Sequence, residues 1–145
     1  MGAIQSIIIR PEKKGEPRHI QEANIIIGGI SGDHYNKPEG HRQVTLIAGD
    51  ALSTVSANVG FQGDAHLACR RNICVDVLPD GDLTGQQIAL GQEVVIEITC
   101  YCNPCNRMNE NFGDGAVHAF DHKAGWGAKV IHEGIIRVGD PFRVL

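Results

Sequence analysis

ITCYCNPCNRMNENF, residues 98–112, places three of the chain's five cysteines within six residues, directly after a strand-like run. The rest of the chain reads as a frame for it. Val94, Ile96, Ile98, Cys100 and Cys102 alternate with Val95, Glu97, Thr99 and Tyr101, the period of two that marks a half-buried strand, so Cys100 and Cys102 continue the inward row. Asn103 and Pro104 then interrupt the strand and read as N-cap and first helical position, which puts Cys105 in the opening turn of a short helix that runs to Phe112 and stops at Gly113. A thiol there meets unpaired backbone N–H groups and the positive end of the helix dipole, and both favour the thiolate. Cys105 is the expected reactive atom, and Cys102 is the candidate resolving thiol, though it is equally able to pack.

Composition narrows the classes. A length of 145 residues fits one domain, residues 1–145, with enough chain to bury a core without disulfides. Apolar residues make up 42% and charged residues 21%, and no apolar run approaches the roughly 18 residues that a membrane span needs. No leader-like segment opens the sequence, so a cytoplasmic protein with reduced thiols is expected. Five cysteines, an odd number without the spacing of a secreted scaffold, suit ligands or nucleophiles better than staples. The net charge of −4 without a basic block excludes the footprint of a nucleic-acid partner.

Working outward, the 18 glycines separate short β-rich runs, the texture of a barrel or sandwich. Ser6–Arg10, Asn24–Ile30, Arg42–Ile47 and the run CRRNICVDV (69–77) read as strands, and Asp50–Val59 reads as a helix capped by Asp50 and ended by Gly60. Residues 61–68 read as a loop. IALGQEVVIE (88–97) and IRVGDPFRVL (136–145) share an apolar-x-apolar-Gly pattern and are expected to make the same bend at two corners of a closed sheet. AKVIHEGIIRV is expected to be a hairpin turning at Glu133–Gly134, and a second short helix is expected around Val117–Ala124. The fold class is mainly β: a closed antiparallel or mixed β-barrel with two or three short helices.

Several side chains could surround Cys105. Arg42, Arg70, Arg71 and Arg107, with Asn72, could form an anion site, because guanidinium groups bind phosphate or an oxoanion bidentately. Asp33 and His34 are delivered together at a strand end by Gly28, Gly29 and Gly32, and His34 could serve as acid, base or ligand. The lysines of PEKKGEP (11–17) read as a solvated tip. Cys100-x-Cys102-x2-Cys105 also admits a zinc reading, with a histidine needed to complete the ligand set. There is no G-x-S-x-G and no phosphate loop with Lys-Ser/Thr, so hydrolase and nucleotide-triphosphatase readings fall away.

Taken in order and spacing along about Ile25–Asp140, GISGDH, RQVTLI, RRNI, the strand ending in CNPC and EGIIRVGD give a chain that resembles the MOSC domain, named for the C-terminal domain of molybdenum-cofactor sulfurase. The resemblance implies a β-rich barrel, a role in handling sulfur or a molybdenum–pterin cofactor, and the family's key cysteine at Cys105. Members act as persulfide carriers, or bind the molybdenum centre through that cysteine and reduce N-hydroxylated compounds. Gly32, Asp33, Arg71 and Asn72 fall on family motif positions. There is no room for the pyridoxal-phosphate domain of larger members, so that cofactor is not expected here, and a cysteine desulfurase or a molybdoenzyme is the implied partner. Two rival readings stand beside this one: a non-catalytic barrel that binds an anion or docks a partner, and a zinc-stabilised domain.

Overall fold

The alternation at residues 94–101 becomes the longest wall of a barrel. The computed structural model describes residues 2–145. β1 (Gly2–Ile9), β2 (Arg18–Ile20), β3 (Glu22–Ile26), β4 (Gly29–Ile30) and β5 (Val44–Ala48) precede α1 (Gly49–Val59) and α2 (Ala65–Cys69). Next come β6 (Ile73–Val75), β7 (Gln87–Leu90) and β8 (Val94–Tyr101), followed by α3 (Asn106–Phe112) and α4 (Ala116–Ala119). β9 (Trp126–His132), β10 (Gly134–Arg137) and β11 (Pro141–Val144) complete the order.

Seven strands in the order β11-β7-β8-β9-β5-β6-β1 close into a barrel where β1 meets β11, with Gly2 opposite Phe142. β2 extends β1, and β10, β3 and β4 form a separate small sheet. The barrel is mixed because β5 and β6 run parallel, Leu46 opposite Ile73. A parallel pair needs a crossover rather than a tight turn, and α1 and α2 supply it.

That crossover explains why every residue of β5 is buried. Leu46, Ile73 and Val75 point into the barrel with Ile7, Ile88, Leu90, Ile96, Ile98 and Val130. Ile47 and Cys74 point outward into a second core made with Leu52, Val55, Met108, Phe112 and Phe120 of the helical side. A strand covered on both faces loses the polar alternation of an exposed one, and each buried Ile or Leu contributes roughly 1.5–3 kcal/mol. The helices therefore pack on one outer wall and carry the end of β8 between the two cores.

Several expectations need correction. Among the described residues there are four helices, because residues 61–68 are not all loop: Asp64 caps α2 by accepting from the Leu67 N–H. α1 starts without a side-chain cap, at Ala48, and Asp50 lies inside its first turn; Gly60 ends it in the left-handed region at φ 71°. The run 69–77 is strand only over Ile73–Val75. Asn24–Ile30 splits into β3 and β4 around a turn. β9 and β10 form no hairpin, since β9 pairs with β8 and β5 while β10 pairs with β3. The two glycine bends lie together at one corner rather than at two, since β11 pairs with β7 and the Gly91 N–H donates to the Pro141 carbonyl at 2.8 Å.

Candidate functional site

β8 carries an irregularity between Ile98 and Cys100, and beyond it Cys100 and Tyr101 stand opposite Gly127 and Trp126. Tyr101 joins the helical core, while Cys100 Sγ and the Arg42 stem lie over Gly127, where a Cβ would come within 2.9 and 2.8 Å of them. Cys102 is fully buried, its N–H donates to the Gly125 carbonyl, and its Sγ accepts from Arg42 Nη2 at 3.2 Å. Burial pulls the Arg42 pKa down, but Cys102, Cys100 and Tyr35 outweigh it and raise it. Arg42 is thus engaged with sulfur.

From Cys102 the chain runs through Asn103 and Pro104 without a turn or bend. Asn103 and Pro104 do not open the helix: Cys105 itself is the N-cap of α3, in extended conformation at φ −129° and ψ 172°. The Met108 N–H donates to the Cys105 carbonyl and holds the first turn. Of the five free cysteines, Cys105 alone is exposed. Burial raises Cys69 to about 12 and Cys74 to about 11. Cys102 and Cys105 sit at opposite ends of an unbent stretch, one in the core and one at the surface, so the structure does not bring them together.

Among the described residues, no group of three or more His, Cys, Asp or Glu is arranged to hold a metal ion, so the zinc reading has no ligand set.

Asp33 and Asn72 are placed together, but inside the protein. The Asp33 side chain is 2% exposed and pairs with Arg10 Nη2 at 3.0 Å. It also accepts from the N–H groups of Arg10 and Tyr35. Asn72 Oδ1 accepts from the Thr45 N–H and hydroxyl, and the Asn72 N–H donates to Thr45 Oγ1. These residues brace the junction of β1, the β4 end, β5 and β6. Arg10, which the sequence did not single out, ends an isoleucine run and also donates to the Arg70 carbonyl. His34 is exposed and its Nδ1 donates to the Arg10 carbonyl at 2.9 Å.

The arginines separate into three settings: Arg42 on Cys102, Arg71 on backbone, and Arg70 with Arg107 in a cleft. Arg71 Nε donates to the Ala124 carbonyl at 2.9 Å. Arg70, left-handed at φ 61° as the C-cap of α2, donates to the Gly15 carbonyl and shares with Arg107 a cleft of about 370 Å³. Burial first, then the charges of Arg107 and Arg10, lower the Arg70 pKa. Arg107 Nε is buried without a hydrogen-bond partner. A second, shallower cleft of about 400 Å³ lies on another side of α3, between Pro104, Asn109 and the α4 residues Val117 and His118.

Beneath this region, Ser6 Oγ–H donates to His66 Nδ1, and His66 Nε2–H donates to the Arg71 carbonyl at 2.7 Å. That fixes the backbone between Arg70 and Asn72. Nothing in the spacing of Ser6 and His66 announces their contact, which exists only because α2 packs over β1.

A closed mixed barrel that presents one exposed cysteine at the strand-to-helix junction, with a cationic cleft on the same short helix, defines a small thiol-bearing barrel domain. A family model described as the MOSC domain matches residues 18–143, and the chain belongs to that family. Among solved structures, it is similar to the YUAD protein from Bacillus subtilis, with 16% identity and a TM-score of 0.82 over 99% of this chain and 96% of that one. It is also similar to YiiM from Escherichia coli, with 16% identity, a TM-score of 0.73, and 100% and 70% covered. YiiM from Geobacillus stearothermophilus gives 13%, 0.78, and 100% and 75%. At these identities the likeness is one of fold. No curated protein matches the chain. Among the described residues no helix is long and apolar enough to cross a membrane.

Proposed function

We propose that this domain handles sulfur through Cys105, whose thiol accepts a sulfane sulfur and passes it on, while Arg70 and Arg107 hold the anionic part of a molybdenum–pterin cofactor beside it. The observation that carries the reading is that Cys105 is the exposed member of the five cysteines and stands at the head of the helix bearing Arg107. In the transfer, the Cys105 thiolate attacks the terminal sulfur of a donor persulfide; a Cys105 persulfide forms and the donor leaves as its thiolate. A cysteine desulfurase is the donor this reading implies, and a molybdoenzyme the recipient.

The residues fit an anionic cofactor. Arg107 Nε has no partner among the described residues, and burial with the charges of Arg107 and Arg10 outweighs Asp33 and Glu16 at Arg70. When bound, molybdenum supplies two-electron redox chemistry, and Cys105 is the residue that would hold it. Arg10, Asp33 and Asn72 act behind the site by fixing the Arg70–Asn72 backbone.

The test is to incubate the protein with a persulfide donor and map the peptides by mass. Added sulfur on the Cys105 peptide, absent after Cys105→Ser, supports the reading. Sulfur appearing instead on the Cys69 or Cys74 peptides, or none anywhere, overturns it. Elemental analysis for molybdenum on protein from a cofactor-producing host tests the metal arm.

A further inference from the structure

We infer that Lys14 is a third cation of the Arg70–Arg107 cleft, that the cleft takes the phosphoryl group of a small phosphate monoester, and that the β1–β2 loop is its movable wall. This rests on the anion-holding reading of that cleft given above. In sequence the loop looked like a solvated tip. In the fold, Lys14 and Glu16 line the same cleft as Arg70, Arg107 and Glu110, and Lys13 does not.

The loop is tied to the body through the cleft. β1 and β2 stop pairing at Ile9 and Arg18. Between them, among the described residues, the hydrogen bonds of 11–17 are an internal one, from the Gly15 N–H to the Glu12 carbonyl, and one across to the body, from Arg70 Nη1 to the Gly15 carbonyl. A ligand held by Arg70 and Lys14 together therefore adds a second link between the loop and the body. Lys14 and Arg70 are also two of the three non-glycine residues with positive φ among those described, at 62° and 61°. Such backbone is costly for a side-chain-bearing residue and gathers at ligand clamps.

Charge and size select the ligand. Lys14, Arg70 and Arg107 all line the cleft, and a dianion with several oxygens answers a guanidinium fork and an ammonium together. Glu16 and Glu110 offer acceptors on the same walls, which suits an ester that carries hydroxyl groups. A space of about 370 Å³ lies near the lower end of the ~300–1,000 Å³ range of small-molecule sites.

Glycerol 3-phosphate is the probe, with glycerol as its neutral control, titrated calorimetrically into the whole chain and into the variants Lys14→Ala, Lys13→Ala and Arg70→Ala. We expect binding to the parent, weakening of about tenfold or more in Lys14→Ala, no change in Lys13→Ala, and loss in Arg70→Ala. Bound ester, but not glycerol, should slow tryptic cleavage after Lys14. If Lys14→Ala binds like the parent while Arg70→Ala does not, this inference falls and the Arg70–Arg107 reading stands. If the parent does not bind, or Arg70→Ala binds equally, the reading falls and takes the inference with it. Binding without protection of the loop overturns the movable wall.

Discussion

Acidification should destabilise this fold through His66, and the size of the effect follows from its surroundings. His66 is 5% exposed, and burial lowers its pKa from 6.5 to about 4, against the opposing pull of the Arg71 carbonyl and Asp64. It is neutral in the fold, accepting from Ser6 and donating to Arg71. The unfolded chain takes up the proton below its ordinary pKa of 6.5 while the folded chain resists until about 4. Stability is therefore complete above 6.5 and falls as pH drops through that window. The full shift corresponds to ~3 kcal/mol, of which about 2 kcal/mol is lost by roughly pH 5. For a chain of this length that means a Tm lowered by roughly 6–8 °C. The assay is thermal unfolding of the parent and of His66→Gln at several values between about pH 5 and 7.5. The variant should be weaker at neutral pH but flatter across the window, since its amide can still donate to Arg71 and has no proton to gain. A parent as stable at about pH 5 as at 7.5, or a variant with the same slope, refutes the reasoning.

Four further outcomes are expected. Brief alkylation at neutral pH should label Cys105 first and leave Cys69 and Cys74 unmodified, because their protons are held up to about 12 and 11 in the core; peptide mapping checks this, and early labelling of either buried thiol rejects it. Cys105→Ser should abolish sulfur loading with an unchanged melting temperature, whereas Cys102→Ala removes a buried sulfur and the partner of Arg42 and should cost about 1–2 kcal/mol by denaturant titration. Asp33→Asn leaves Arg10 without its carboxylate in a nearly closed site and should cost ~3 kcal/mol, read as a lowered denaturant midpoint. Gly125→Ala combines φ 99° with a Cβ driven onto the Leu46 carbonyl, so a loss of roughly 3 kcal/mol is expected in the same titration; a near-neutral result would show that this turn can relax.

The chain's own residues were enough to determine its class and its main wall, and to single out Cys105, which the fold leaves exposed. Period-two alternation at Val94–Tyr101 and the glycine punctuation describe strands and corners of one closed sheet, and both are local consequences of side chains alternating across a pleat. Cys105 stood out for a local reason too, since Asn103–Pro104 interrupts the alternation just before it. What stayed hidden depends on partners far apart in sequence. Residues 61–68 looked like loop because α2 is too short to show a period, and it stands through the Asp64 cap and packing against the barrel. AKVIHEGIIRV looked like a hairpin because its turn chemistry is local, but long-range pairing with β8 and β3 carried its two halves into different sheets. The adjacent Arg70 and Arg71 carry the same charge in sequence, and only tertiary contacts sent Arg71 to the Ala124 carbonyl and Arg70 to a cleft shared with Lys14. Charge is a property of a residue, whereas whether that charge is already satisfied is a property of the fold around it.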